Sequence, residues 1–279
     1  MSRTISERFL AQARRANWRV SRWSTELDLA RRRRRARRSE GRDGREQIGA
    51  AVVHFNDAPN FYVTYKDIFV RRIYHFDSIR RDPVILDCGS NIGMAVVYFK
   101  TIYPAARITA FEADPFVCRY LDENLQRNGF TDVQVIRAAL SAREGKLLFD
   151  SDAKYGSHIA AVSEGSGDPH WRRIEVPTVS LRGYLEEPVD FLKMNIESAE
   201  WEVLSDAADD LRAIREMVIE YHHLPGVPRT LHRILGLLDE RGFEYMVNDL
   251  DSETNSGVRP PFRLDEDSQY FLLIYAKRV

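Results

Sequence analysis

From Pro83 onward the chain alternates short apolar runs with longer amphipathic ones, and this alternation restricts the fold more than any other feature. VILDC precedes the helical pattern IGMAVVYFKTIY, and RITAFEA precedes PFVCRYLDENLQRN, with Gly129 and the strand pattern VQVIRAAL after it. Further on, VDFLKMNI leads into SAEWEVLSDAADDL and REMVIEYHH into PRTLHRILGLLDERG. Strands separated by helices of this length predict right-handed βαβ units on a parallel sheet. The alternation lapses after residue 140, where GKLLFDS and IEVPTVSL read as extra strands around the polar segment 151–173. A connection that long reads as a lid or substrate loop. FEYMVND and QYFLLIYAK close the chain, the second as an antiparallel strand set into the sheet. The expected class is therefore α/β, a Rossmann-like sheet that is mostly parallel with an antiparallel C-terminal strand.

Three zones follow along the 279 residues. Residues 1–45 form a basic arm, 46–82 a β-rich cap segment with runs AAVVHF, FYVTY and DIFVRRIYHF, and 83–279 the sheet domain. The arm holds fifteen Arg against five acids, a balance of +10 inside a chain of net charge −1. Its run at 30–38 is a candidate surface for an anionic partner, nucleic acid or membrane, although clustered charge alone is permissive. Trp18 and Trp23 lie in a pattern that suits an amphipathic helix. No apolar run approaches the roughly 18–20 residues of a membrane span, and the N-terminus lacks a signal-peptide core. Cys88 and Cys118 give no disulfide framework and no metal spacing. The expectation is a cytoplasmic protein without a metal site.

The turn ILDCGSNIGM decides the ligand. Ligands of open α/β sheets bind beyond the carboxyl ends of strands, where Asp87 to Gly93 would stand. Dinucleotide turns need G-x-G-x-x-G so that backbone can approach a pyrophosphate. Here Gly89 and Gly93 are spaced G-x-x-x-G, with Asp87 just ahead of the first glycine. A carboxylate there repels phosphate and suits an ammonium group. S-adenosylmethionine (SAM) carries an amine and a sulfonium and no phosphate. Glu112, ending the next strand pattern, is placed to accept hydrogen bonds from its ribose. SAM is the expected cofactor, and an NAD(P)-dependent oxidoreductase is the alternative from another class.

VILDCGSNIGM, AFEADP, FLKMNIESAEWEVL and VIEYHH together resemble the successive motifs of the FkbM-type methyltransferases, over about residues 48–279. That resemblance implies a class I methyltransferase fold and O-methylation of a hydroxyl on a sugar, glycan or secondary metabolite. It also implies that Asp87, Gly89, Ser90, Asn91 and Gly93 form the SAM turn, that Glu112 holds the ribose, and that Ala138 and Ala139 border the adenine. The family's K-x-D-x-E-G-x-E block here reads Lys193, Asn195, Glu197, Ser198, Glu200. Asn195 removes a carboxylate but can still bond cofactor or substrate, and Ser198 suits an N-cap to the following helix.

Four residues are expected to carry the chemistry. Lys193, on a strand buried on both faces, needs a partner, and Glu220 on the next strand is the expected one. Glu220 and His222 share a face, and His222 is expected as the base, or as the residue that orients the acceptor hydroxyl, because imidazole titrates near neutral pH. Glu197 and His223 stand behind it, while His54, His75, His158 and His170 have no supporting context. The partners expected are a small-molecule or glycan acceptor, an anionic surface at 30–38 and a second copy of the chain. Ribose methylation of RNA, recruited by the arm, is the alternative among methyl transfers.

Overall fold

The computed structural model describes residues 31, 32, 34, 43–152, 158–159, 171–250 and 268–278. Its centre is a seven-stranded sheet built from β3 (Val84–Cys88), β4 (Arg107–Phe111), β5 (Gln134–Ile136), β10 (Phe191–Met194), β11 (Glu216–His223), β12 (Phe243–Asp249) and β13 (Tyr270–Arg278). Across the sheet these run β12-β13-β11-β10-β3-β4-β5. Every pair from β11 to β5 is parallel, while β13 runs antiparallel between β11 and β12. The strand order reverses at β3, so the carboxyl ends of β3 and β10 open a crevice between outgoing connections.

Four helices cover the sheet: α2 (Met94–Ile102), α3 (Pro115–Arg127), α4 (Glu200–Asp206) and α5 (Leu231–Glu240). The Asp114 side chain accepts from Phe116 N at 2.8 Å. With Pro115 in the first turn, this cap starts α3 where AFEADP ends β4. Two apolar layers result, one around Ile85, Val97, Phe99 and Phe191, the other around Leu192, Met194, Ile219 and Leu238. Both faces of β10 are buried, as its apolar run requires. A smaller sheet follows on, comprising β6 (Ala139–Leu140), β7 (Gly145–Ser151), β8 (His158–Ile159) and β9 (Arg172–Val179) in the order β6-β9-β7-β8.

The expectation of a β-rich cap over 46–82 is corrected. A hairpin of β1 (Gly44–Ile48) and β2 (Ala51–Phe55) is present, but FYVTY and the start of DIFVRRIYHF are helical. They form α1 (Ala58–Tyr65), continued by a π-helical turn, Lys66–Arg71. Asp57 caps α1 by accepting from Asn60 N at 3.1 Å, and Pro59 lies in its first turn. Ala58, Phe61, Ile68 and Phe69 are then buried. Aromatic and β-branched residues favour strands; here the cap and burial against the body outweigh that preference.

Much of the basic arm, Trp18 and Trp23, and most of 151–173, including the side chains of His158 and His170, lie outside the described residues. Of the arginine run, Arg32 is engaged with the body. Its guanidinium donates to Glu46 Oε2 at 3.2 Å and to Gln47 O at 3.0 Å, and lies 4.3 Å from the Tyr65 ring centroid. Among the described residues no helix is long and apolar enough to cross a membrane.

Candidate active site

The turn after β3 is held by backbone bonds. Gly89 N and Ser90 N both donate to Phe111 O, at 3.0 and 2.8 Å, and Ser90 Oγ returns to Asp87 O at 2.9 Å. Gly89 has φ +81°, and a Cβ there would collide with the carbonyl oxygen of Asn195. Gly93, at φ +87°, sits where a Cβ would come 2.8 Å from Leu121 of α3. Only glycine meets both demands at these positions. Asn91 stands at φ 49°, a left-handed conformation that Asn tolerates. Its own side chain accepts from Ile92 N at 2.7 Å.

Above the crevice lies a cavity of about 770 Å³. Gly89, Ser90, Asn91, Glu112, Ala138, Ala139, Lys193, Asn195, Glu197 and Glu220 all line it, so ten of the sequence-predicted residues meet in one place. Glu112 bridges two loops: Oε2 accepts from Asn91 N and Oε1 from Asp114 N, each at 2.8 Å. Burial pushes its carboxyl up to about 7, against the opposing effect of those two donors. Ala113, Ala138 and Ala139 with Phe111 and Phe149 make one wall small and apolar.

Asp87, Gly93 and His222 do not line the cavity. Asp87 is fully buried and pairs with Lys193, Nζ to Oδ1 3.1 Å. Its carboxylate therefore faces the Lys193 ammonium beside the turn. The expected Lys193–Glu220 pair is corrected by the same contact. Lys193 also donates to the carbonyls of Gly89 and Cys88, tying β10 to the turn.

His222 stands just behind the cavity lining. It lies buried against Phe271, ring centroids 4.9 Å apart, with Nδ1 3.5 Å from Glu200 Oε1. Burial pulls its pKa down, but the carboxylates of Glu197, Glu200 and Glu220 outweigh this and raise it to about 10. Ser198 is not the cap of α4; it sits at φ 78° just before the helix, with Oγ donating to His222 O at 3.1 Å. Glu200 satisfies the Ser198 N–H instead, at 3.1 Å. His223 is buried beside Tyr270 and its pKa is lowered, by burial first and then by Arg229.

The cavity's outer wall comes from the cap. Thr64, Lys66, Asp67, Arg71 and Tyr74 line it together with Asp249 and Phe271. Tyr74 donates to Glu220 Oε1, and Asn195 Nδ2 donates to Glu220 Oε2 at 3.1 Å. Burial first, then the Glu220 carboxylate, raises the Tyr74 hydroxyl well above its ordinary value. Nothing in the sequence pattern marked Tyr74, because its segment reads as a strand and carries no motif. Among the described residues no group of three or more His, Cys, Asp or Glu could hold a metal ion.

A methyltransferase FkbM domain model matches residues 87–245, more than half the chain. Methyltransferase sdnD of Sordaria araneosa is 28% identical over 214 residues, covering 64% of this chain and 81% of that protein. 31-O-demethyl-FK506 methyltransferase FkbM of Streptomyces tacrolimicus is 28% identical over 228 residues, covering 70% and 86%. Among solved structures, M. jannaschii TYW2 in complex with AdoMet superposes with a TM-score of 0.49 at 15% identity, covering 86% of this chain and 88% of that one. The reading as an NAD(P)-dependent oxidoreductase is set aside by the family match. With its motifs in order along β3, β4, β10 and β11, the chain belongs to the FkbM family of methyltransferases, whose methyl donor is S-adenosylmethionine.

Proposed function

We propose that this protein transfers a methyl group to a hydroxyl of a small molecule, a sugar, glycan or secondary metabolite, with Glu220 accepting the hydroxyl proton. The observation that carries this reading is a buried carboxylate, Glu220, on β11 and lining the cavity. Two relatives are named for O-methylation, the FK506 enzyme and a 2-O-methyltransferase NoeI of Sinorhizobium fredii, and a hexuronic acid methyltransferase AglP of Haloferax volcanii is named for a sugar acceptor.

The residues present suit the cofactor. A volume of about 770 Å³ is within the range of roughly 300–1,000 Å³ that buries ligands of this size and leaves room for an acceptor. Five acids line the cavity (Asp67, Glu112, Glu197, Glu220, Asp249) against three cations, Lys66, Arg71 and Lys193. Arg71 and Asp67 of this set pair with each other, which leaves the acids in excess by two, and Lys193 pairs with Asp87 outside the lining. This balance favours a positively charged ligand over a phosphate-bearing one. Glu112 would accept from the ribose hydroxyls with lone pairs left over from its two backbone donors, and the apolar wall at Ala138 and Ala139 would face the adenine.

When bound, SAM supplies an electrophilic methyl on a sulfonium. The chain's part is to hold the acceptor in line, exclude water and take its proton. With the acceptor hydroxyl held against the cofactor's methyl, Glu220 would take the proton that the hydroxyl gives up.

Two experiments follow. Protein given methyl-labelled SAM and a panel of methyl hexosides, methyl hexuronosides and the matching amino sugars is expected to label hydroxyl acceptors. Label confined to amines would contradict the reading. Separately, the ionised Glu112 is the better acceptor for ribose, so SAM affinity should rise several-fold as pH climbs through about 7. Glu112→Gln should flatten this dependence in calorimetry; a wild-type affinity independent of pH would remove Glu112 from the ribose site. The same raised pKa gives the folded ligand-free protein an opposite trend. Folded Glu112 binds its proton more tightly than unfolded. Its contribution to stability is therefore present below about pH 4.5 and is lost as pH rises through about 7.

A further inference from the structure

We infer that Tyr74 and Asn195 together orient Glu220 as the proton acceptor, which makes Tyr74, in the cap ahead of the family match, a positioning residue of the reaction. The inference rests on the O-methylation reading and adds to it the reason a carboxylate can serve as the base.

Each Glu220 oxygen has one neutral donor: the Tyr74 hydroxyl on Oε1 and the Asn195 amide on Oε2, the latter at 3.1 Å. Donors of this kind stabilise the charged form and fix the plane of the carboxylate. Lone pairs remain for a substrate hydroxyl. All three side chains line the cavity, so the arrangement borders the space an acceptor would enter.

Asn195 is the informative position. It stands where the FkbM-type block has Asp. An Asp at the same distance would set two carboxylates against each other. An amide turns that repulsion into a hydrogen bond. Tyr74 is well placed to complement it, because its raised pKa keeps the phenol protonated and hence a donor.

The other charged groups around Glu220 come from every neighbouring element. Lys193 on β10 lies 5.7 Å from the Tyr74 ring centroid but is paired with Asp87 of β3. His222, on β11 itself, has its pKa pulled down by burial first and raised by Glu197, Glu200 and Glu220. Tyr275 on β13 has its pKa raised by burial first and by Glu220 last. Asp67 in the π-turn acts on Tyr74 and is paired with Arg71. None of these donates to Glu220, so Tyr74 and Asn195 are the donors to it among the described residues.

The test needs no knowledge of the acceptor. In protein labelled at the glutamate side-chain carboxyl carbon, Glu220→Gln assigns the resonance, and its titration is followed by NMR in wild type, Tyr74→Phe and Asn195→Asp. Both variants should move the Glu220 midpoint upward, Asn195→Asp by about one pH unit or more. Tyr74→Phe keeps the ring and its packing, so an unfolded variant does not obscure the result. Turnover on a hydroxyl acceptor from the panel should fall about tenfold in Tyr74→Phe, with the acid limb of its kcat profile displaced in the same direction as the NMR midpoint. Midpoints unchanged in both variants would overturn the inference. Shifted midpoints in a protein that labels only amines would leave the hydrogen-bonded carboxylate standing and overturn the O-methylation reading instead.

Discussion

Gly89→Ala is expected to abolish measurable SAM binding. The new Cβ meets the Asn195 carbonyl oxygen, a backbone atom that cannot rotate away. The residue must also hold φ +81°. That left-handed conformation costs a non-glycine roughly 1–2 kcal/mol before any clash is counted. The turn and β10 would have to separate. That separation would pull Ser90 and Asn91 out of register with Glu112, whose carboxylate bonds Asn91 N. Calorimetry with SAM, beside a urea melt to show that the variant still folds, reads both effects. Binding within about threefold of wild type would mean that the turn tolerates displacement and does not shape the cofactor site.

Lys193→Met is expected to be the most destabilising single change in the site, by about 3–5 kcal/mol, because it leaves Asp87 as an uncompensated buried charge. Side-chain exposures of 4% and 0% for Lys193 and Asp87 put the pair beyond rescue by solvent. Combining Lys193→Met with Asp87→Asn removes both charges, so most of the lost stability should return in the double variant. Losses that simply add in urea titrations would show that Lys193 acts through its bonds to the Gly89 and Cys88 carbonyls and not through Asp87.

These residues also show how far the sequence could be read. The turn was legible because glycine spacing after an apolar strand reflects a backbone requirement, and such requirements are local. The parallel order of β3, β4, β10 and β11 was legible for the same reason, since period and length of the runs carry it. Partner choice was not. Asp87 and Lys193 lie far apart along the chain, and only the register that sets Lys193 opposite Asp87 across the β10–β3 pair joins them. Strand alternation alone pointed to Glu220 on the neighbouring strand instead.

The cap was misread because residues 61–76 are rich in aromatic and β-branched side chains. Helix formation there depends on Asp57 and on burial against the body, including Phe69 edge-on to Tyr98 at 5.5 Å. His222 was chosen for its ordinary pKa, and its surroundings were not legible: burial pulls that pKa down while Glu197, Glu200 and Glu220 raise it. Tyr74 had no local signature at all. Its role emerges from a contact with Glu220, a residue distant in the sequence.

The most direct test of the central claim compares wild type with Glu220→Gln, using SAM carrying a deuterated methyl group and the hydroxyl and amine acceptors named above. Mass spectrometry of the products locates the methyl, and calorimetry measures SAM binding by both proteins. The account predicts label on oxygen in the wild-type product, SAM affinity in Glu220→Gln within about threefold of wild type, and turnover reduced by about a hundredfold or more. Label on nitrogen or carbon, or a Glu220→Gln protein that turns over like the wild type, would contradict it.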